Sequence, residues 1–124
     1  MKREANFQTL FGQYVRKKKL YGNFELKQTT TSSLPITIKK TLKRQTESLV
    51  TAQESGLFWK HSDADPREKP CDCSFIPPVD GYMVIKYPGQ FSIINVYDFI
   101  SESKRVKSLT KKRAEEIAIT TVYL

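Results

Sequence analysis

The chain has 124 residues, of which 39% are apolar and 27% are charged, so its composition excludes a disordered chain and predicts a globular domain with one modest core. Lysine and arginine outnumber aspartate and glutamate by 21 to 13, and the net charge of +8 favours a polyanionic partner such as nucleic acid. We find neither an apolar stretch of membrane-spanning length nor a secretory signal, so we expect an intracellular, cytoplasmic protein without a membrane partner.

Two amphipathic helices are predicted in the first half of the chain. Apolar residues that recur every three or four positions predict the first over residues 3–18, ending in a basic run at 16–19 that suits the helix dipole. A second apolar stripe predicts a helix over residues 37–55, with Gly56 as its C-terminal stop. Gln45 interrupts this stripe, so its amide is expected either to bond to the backbone or to point into a polar site.

Between these helices, residues 23–31 begin with an alternation of apolar and charged side chains that predicts a half-buried strand. Phe24 and Leu26 are expected to face the core, while Glu25 and Lys27 share the opposite face with their Cα atoms roughly 7 Å apart. At this spacing a carboxylate can hold a divalent metal, and a lysine can steady a nucleophile or the charge that develops on a phosphodiester. An exposed ion pair between the two side chains is the structural alternative.

The second half of the chain predicts shorter elements. Residues 57–61 are expected to form a strand parallel to the first, because a helix separates the two strands. Residues 81–87 and 91–96 surround a proline-glycine pair and predict a hairpin. Ser108 or Thr110 is expected to cap a last helix, whose apolar stripe consists of Ala114, Ile117, Ala118 and Val122. The expected fold class is therefore α/β, with a small mixed sheet flanked by helices.

Positive charges occur in clusters, which favours nucleic acid over simple solubility as the reason for the net charge. A run of hydroxyl residues at 29–33 could donate hydrogen bonds to phosphate oxygens, although a plain polar loop has the same composition. The candidate DNA-binding residues are Arg16, Lys17, Lys18, Lys19, Ser32, Ser33, Lys39, Lys40, Lys43 and Arg44.

A zinc site is a possible interpretation of His61, Cys71 and Cys73, but their spacing does not favour it. Zinc-dependent nucleobase deaminases need a glutamate two residues after the histidine and two residues between the cysteines, and this chain has neither. Two thiolates this close cannot readily complete a tetrahedral site without further ligands. We therefore expect free thiols and no zinc.

Three motifs follow one another in the first half of the chain: FELKQTTTSSLP from Phe24, LKRQTESL from Leu42 and ESGLFWK from Glu54. In their order and spacing they resemble the PD-(D/E)xK nuclease superfamily, and most closely its RecU-like Holliday junction resolvases. In that family a strand with Phe-Glu-x-Lys precedes a Ser/Pro-containing loop and a helix bearing glutamine. The resemblance covers about residues 4–60 and implies one nuclease-like domain, 1–124, with a restriction-endonuclease-like core.

The resemblance also implies a metal-dependent endonuclease that hydrolyses DNA phosphodiesters, with branched DNA such as a Holliday junction as its expected substrate. It implies that Glu25 and Asp72 hold Mg²⁺ or Mn²⁺ and that Lys27 assists the attacking water. Glu4 would support the shell of ligands around the metal, and Gln45 would orient Lys27 or the water. Resolvases of this kind cut two strands symmetrically as dimers, so a homodimer is expected.

The chain departs from the family pattern at the acid that usually precedes Glu-x-Lys, since no acidic residue lies between Glu4 and Glu25. Asp72 is the preferred replacement because it heads a short apolar segment, as the family's aspartate does. The hairpin at 81–96 would then supply the missing strands in a rearranged core. The full set of candidates for the second metal ligand is Asp63, Asp65, Asp72 and Asp80.

Two other classes of function are compatible with this sequence. The first is a nucleic-acid-binding module that kept the nuclease fold without its catalysis. The second is a structural interaction protein whose basic faces meet an acidic protein. A nuclease assay with and without a chelator discriminates between the enzyme and both alternatives.

Overall fold

The structure is a computed structural model that describes residues 2–37, 40–60 and 73–124, with side chains described for 7–37, 41–56 and 77–124. Its elements, in chain order, are α1 (Lys2–Lys18), β1 (Asn23–Gln28), β2 (Ser33–Pro35), α2 (Lys40–Ser55), β3 (Leu57–Lys60), β4 (Cys73–Ile76), β5 (Gly81–Tyr87), β6 (Gln90–Asn95), α3 (Val96–Arg105), β7 (Ser108–Thr110), α4 (Lys111–Ile117) and β8 (Thr120–Tyr123). The expected α/β class is confirmed, because helices flank a mixed sheet.

The main sheet has four strands in the order β1-β5-β6-β8. Strand β1 runs parallel to β5, whereas β5 and β6, and β6 and β8, are antiparallel neighbours. The predicted hairpin is confirmed, since β5 and β6 pair along their length and the pair of Tyr87 with Gln90 closes the turn at Pro88 and Gly89. Nearly every residue of β5 and β6 is buried, so these strands form the centre of the fold.

The prediction that residues 57–61 pair in parallel with the first strand is wrong. Residues Leu57–Lys60 form β3, which pairs antiparallel with β4 in a separate two-stranded sheet, and the parallel partner of β1 is β5. The physical reason lies in the two strands themselves. β5 has seven residues that are almost all buried, as a central strand with a parallel neighbour requires, whereas β3 has only four.

Different helices cover the two faces of the main sheet. On one face, α1 covers the sheet, and Phe24 and Leu26 of β1 pack against a cluster of buried residues: Phe7, Phe11, Tyr82, Val84, Phe91 and Ile93. On the other face, α2 and α3 share a cluster of buried residues with β5 and β6: Leu49, Met83, Ile85, Ile94, Val96 and Phe99. The alternation of residues along each strand therefore decides which helix layer each side chain meets.

The predicted helices near the N-terminus are confirmed. Helix α1 spans Lys2–Lys18, and α2 spans Lys40–Ser55 rather than starting at residue 37. The N–H of Gly56 donates to the Ala52 carbonyl oxygen at 3.0 Å, so Gly56 follows the last turn of α2 as the sequence predicts.

The last helix, α4, is shorter than predicted. Thr110 caps it, because its Oγ1 accepts a hydrogen bond from the Arg113 N–H at 3.2 Å. The helix ends at Ile117, however, and Val122 lies on β8 opposite Phe91 of β6. Strand β8 is rich in β-branched and aromatic residues, which favour pairing with β6 over a longer helix.

Candidate functional site

Glu25 and Lys27 lie on β1, the strand at one edge of the main sheet, and both are partly buried. They are in register with Met83 and Ile85 of β5, which belong to the cluster under α2 and α3. The predicted alternation is therefore confirmed: the two charged residues lie on the α2 side of β1. Both belong to the described part of the chain, and they do not form an ion pair with each other. The structural alternative of a Glu25–Lys27 ion pair is thus not observed.

A cavity of about 410 Å³ opens beside Lys27, between β1, β2 and the first turn of α2. Its size lies in the range of small-molecule binding pockets. The lining combines apolar side chains with an ammonium group and two hydroxyls, and includes Lys27, Pro35, Thr37, Thr41, Leu42 and Phe99. Sequence reasoning missed this cavity, although most of its lining lies within residues 27–42, because the cavity depends on how β1, β2, α2 and Phe99 of α3 pack together.

A second cavity, of about 260 Å³, lies at the α1 side of the same strand and is bordered by Phe7, Leu26, Lys27 and Gln28. The Oε1 atom of Gln28 is buried and has no hydrogen-bond partner among the described residues. Lys27 therefore borders both cavities, and an anionic group bound in either of them lies near this residue. Positive charge at such a position attracts phosphate.

Gln45 lies on α2, which contacts β1 on the side of Glu25 and Lys27. Its Oε1 atom is buried and, within the described part of the chain, accepts no hydrogen bond. A buried acceptor without a donor costs about 1–3 kcal/mol of desolvation. The sequence analysis expected either a backbone partner or a polar site for this amide, and the backbone partner is not observed.

The hydroxyl-rich segment after β1 bonds mostly to itself. The hydroxyl groups of Thr29 and Thr31 donate to the Ser33 carbonyl oxygen at 3.3 and 2.8 Å, and the Lys111 N–H donates to the Ser32 carbonyl oxygen at 2.8 Å. Ser33 is partly buried at the start of β2, whereas Ser32 is exposed. Of the two serines predicted to bind DNA, Ser32 is the more accessible.

The predicted DNA-binding cations belong to different layers of the fold. Residues 16–19 form an exposed run at the end of α1, while Lys43 and Arg44 are exposed on α2, which covers the opposite face of the sheet. Lys39 and the side chain of Lys40 lie outside the described residues. A nucleic acid that contacts both groups must therefore reach around an edge of the sheet.

A third basic region, around α3 and α4, is partly neutralised by a buried carboxylate. Glu102 is only 4% exposed, and it accepts hydrogen bonds from Arg113 at 2.9 and 3.2 Å and from Arg105 at 3.4 Å. The hydrogen bonds from Arg113 lower the pKa of Glu102 most, with Arg105 adding to the effect, and Glu102 in turn raises the pKa of Arg113. Both arginines thus join α3 to α4 and are less available to a phosphate.

The candidate acids are not brought together with Glu25 in the described structure. Asp80 accepts a hydrogen bond from the Tyr82 hydroxyl at 3.1 Å, on the α1 side of the sheet, while Glu25 lies on the α2 side. Among the described side chains, no group of three or more His, Cys, Asp and Glu residues could hold a metal ion. The candidate acidic, histidine and cysteine residues that lie outside the described side chains are Glu4, His61, Asp63, Asp65, Cys71, Asp72 and Cys73.

Compared with known protein families, with characterised proteins and with solved structures, the chain matches none of them. Of the helices that the structure describes, none combines the length and the apolar character needed to cross a bilayer. The assignment of a function therefore depends on the order of the motifs, the net charge and the geometry around β1.

Proposed function

We propose that the chain is a metal-dependent DNA endonuclease related to the RecU-like resolvases and acting on branched DNA. The observation that carries this proposal is the placement of Glu25 and Lys27 side by side on the α2 face of an edge strand, without an ion pair between them. Among the described side chains neither has an ion-pair partner, so each can meet a third group. A metal ion and a scissile phosphate are the third groups that a carboxylate and an ammonium at this spacing suit.

The fold supports a restriction-endonuclease-like core in a rearranged form. Helix α1, the strand bearing Glu25 and Lys27, and helix α2 follow one another in the order that the family resemblance implies. The hairpin of β5 and β6 lies directly beside β1, where the rearranged core needs its additional strands. The net charge of +8 supports DNA as the partner, and we propose that the chain forms one intracellular domain.

We propose Mg²⁺ or Mn²⁺ as the metal, with the Glu25 carboxylate as one ligand. Such ions take oxygen ligands and are held by one or two carboxylates, with waters and substrate phosphate completing the shell. Glu25 offers one carboxylate on a partly exposed strand, and Asp72 is proposed as the second. When bound, the metal polarises the phosphodiester, which makes the phosphorus easier to attack.

The remaining residues have roles that follow from their own chemistry. The Lys27 ammonium stabilises the negative charge that grows on the phosphate and orients the attacking water. Gln45, with its unpartnered Oε1, accepts a hydrogen bond from Lys27 or from that water, and Glu4 supports the metal's surroundings. A homodimer places two such sites for symmetrical cleavage of two strands.

The first experiment is cleavage of a labelled four-way junction and of linear duplex of the same sequence, with Mg²⁺ and with a chelator. We expect cleavage only with the metal, and faster cleavage of the junction. DNA binding without cleavage at any divalent metal would contradict the endonuclease and favour the non-catalytic binding module. Absence of DNA binding would contradict both DNA-directed functions and favour the structural interaction protein whose basic faces meet an acidic protein.

A set of four Asp→Asn variants tests the second ligand. Asp72→Asn removes a charge while keeping the side chain's shape, so it should abolish metal-dependent cleavage and leave the urea midpoint unchanged. Asp80→Asn is the matched control, because its carboxylate bonds to Tyr82 on the other side of the sheet. If Asp63→Asn or Asp65→Asn is inactive instead, the second ligand is misassigned. If all four variants cleave normally, the site does not use two carboxylates.

A further inference from the structure

The turn between α1 and β1 is fixed at both of its ends. Lys19 has a left-handed φ of 52°, and the N–H of Leu20 donates to the Val15 carbonyl oxygen at 3.1 Å, which is how a Schellman motif ends a helix. On the other side, the N–H of Asn23 donates to the Asp80 carbonyl oxygen at 2.9 Å and starts the pairing of β1 with β5. The residues between these bonds have little freedom to move.

The residues that flank Tyr21 are held inward by packing. Leu20 packs against the cluster under α1, and Gly22 lies so close to β5 that an added Cβ would be 2.9 Å from the ring of Tyr82 and 3.0 Å from the Asp80 carbonyl oxygen. With both neighbours anchored, the chain presents Tyr21 outward. Its exposed fraction is 81%, the highest among the large hydrophobic side chains in the described regions.

Tyr21 also differs from the other exposed tyrosines in its hydroxyl group. The hydroxyl of Tyr97 donates to Glu54 at 2.6 Å, and that of Tyr123 donates to Glu115 at 3.3 Å. Within the described part of the chain, the Tyr21 hydroxyl has no partner, so nothing there holds the ring against the surface. With 81% of the residue exposed, its ring is accessible to a ligand.

The charged residues that precede Tyr21 in the chain are all positive and all exposed: Arg16, Lys17, Lys18 and Lys19. The acidic residue at this turn is Asp80, whose carboxylate accepts a hydrogen bond from the Tyr82 hydroxyl at 3.1 Å. An exposed aromatic ring on a rigid turn, beside cations, is the arrangement with which proteins bind single-stranded nucleic acid. We propose that Tyr21 stacks on an unpaired DNA base while residues 16–19 contact the phosphates of the same strand. This inference takes DNA as the partner from the proposed function but does not need the protein to cleave it.

Single-stranded DNA fits this surface better than the other polyanions. In a duplex, both faces of every internal base are already stacked, so the ring of Tyr21 has nothing planar to contact. An acidic peptide supplies negative charge but no base, and it would engage the lysines alone. An unpaired strand supplies phosphates and bases together, and stacking tolerates any base because each has a π face.

The test is a titration of the protein against labelled oligo(dT) and against a long blunt-ended duplex without a loop, both in chelator so that no metal-dependent cleavage occurs. Tyr21→Ala should weaken oligo(dT) binding by about 5- to 150-fold and duplex binding by less than about 2-fold. Tyr21→Trp should bind oligo(dT) at least as tightly as the unchanged protein. Tyr123→Ala is the matched control, because Tyr123 is an exposed tyrosine on β8 at the opposite edge of the sheet. This variant should change neither oligo(dT) binding nor duplex binding.

The inference is overturned if Tyr21→Ala binds oligo(dT) like the unchanged protein, or if it loses single-strand and duplex binding equally. Displacement of oligo(dT) by poly-glutamate as readily as by unlabelled oligo(dT) would also overturn it, because charge alone would then explain binding. These failures leave the endonuclease proposal standing if the junction is still cleaved. Loss of binding to every DNA form in the unchanged protein would remove both proposals.

Discussion

Gly81 and Leu49 are in such close contact that a Cβ atom on Gly81 would lie 3.0 Å from the Leu49 carbonyl oxygen and 3.1 Å from the Leu49 Cβ. The Gly81 N–H also donates to Gln53 Oε1 at 2.9 Å. Helix α2 therefore rests directly on the first residue of β5. Because β5 pairs with β1, this contact fixes the height of α2, and hence of Gln45, above the strand that bears Glu25.

Replacing Gly81 with alanine should destabilise the protein by about 1–3 kcal/mol, because the atoms that the new methyl group meets are mostly backbone and cannot move aside cheaply. Urea unfolding followed by circular dichroism measures the change. Gly12→Ala is the matched control: Gly12 lies inside α1 with nothing within 4 Å of an added Cβ, and alanine there should stabilise by about 0.5–1 kcal/mol. Equal effects at the two positions would contradict the close packing of α2 on β5.

The ion pair of Glu102 with Arg113 predicts a pH dependence of stability. Arg113, with help from Arg105, lowers the pKa of Glu102 below its ordinary value of 4.5. A carboxyl group with a lowered pKa in the folded state stabilises the fold above its ordinary pKa, and this contribution is lost as the pH falls through the folded-state pKa. Glu102→Gln should therefore lower the midpoint of urea unfolding at pH 7. The difference in midpoint between this variant and the unchanged protein should shrink at pH values below 4.5.

The control for this experiment is Glu116→Gln. Glu116 is 53% exposed and pairs with Arg113 at the surface at 3.2 Å, so its removal should change stability by less than about 1 kcal/mol. A Glu102→Gln variant that is as stable as the control at pH 7 would show that the buried pair does not hold α3 to α4.

A buried hydrogen bond attaches the small β2–β7 sheet to the main sheet. The hydroxyl of Tyr87, a fully buried residue on β5, donates to the Leu109 carbonyl oxygen on β7 at 2.8 Å, and burial raises the pKa of this phenol. Tyr87→Phe leaves the carbonyl oxygen without this donor, so we expect a loss of about 1–2 kcal/mol. The difference in the free energy of unfolding between Tyr87→Phe and the unchanged protein, measured in urea, should be constant from pH 6 to pH 9. The phenol remains protonated over this range in both the folded and the unfolded state. An unchanged unfolding midpoint would contradict this assignment.

The elements that sequence reasoning predicted correctly are those whose signal is local. The alternation of Phe24 and Leu26 with charged residues follows from the two-residue period of a strand, and the stripes of α1 and α2 follow from the period of a helix. The hairpin of β5 and β6 was predictable because Pro88 and Gly89 are turn residues between two apolar runs.

The features that sequence reasoning missed depend on contacts between separate elements. The partner of β1 lies more than 50 residues later, and nothing in residues 57–61 shows that their strand pairs elsewhere. The cavity beside Lys27 and the buried pair of Glu102 with Arg113 likewise join separate elements. The sequence predicts a helix at Val122 because a short apolar stripe matches both a helix and a strand, and pairing with the open edge of β6 decides between them.

Binding to DNA should be dominated by phosphate contacts and therefore depend on salt. We expect log affinity to fall linearly with log salt between about 50 and about 200 mM, and reversing the charges of Lys17 and Lys18 should reduce the slope by about 2. Reversing the charges of Lys104 and Lys107 changes the net charge by the same amount. This double variant is therefore the control for an effect of net charge alone on DNA affinity. An affinity that is insensitive to salt, or the same loss in both double variants, would contradict a local phosphate contact at the end of α1.

We propose that Glu25 and Lys27 form a catalytic pair on β1. The most direct measurement is the single-turnover rate of junction cleavage in Mg²⁺ for Glu25→Gln and Lys27→Ala, with junction affinity measured separately in chelator. Glu47→Gln, an exposed carboxylate on α2, is the matched control. We expect each of the two variants to lose about 100- to 1,000-fold in rate with affinity largely retained, and the control to cleave normally. Cleavage by Glu25→Gln and Lys27→Ala at the rate of the unchanged protein would contradict the claim.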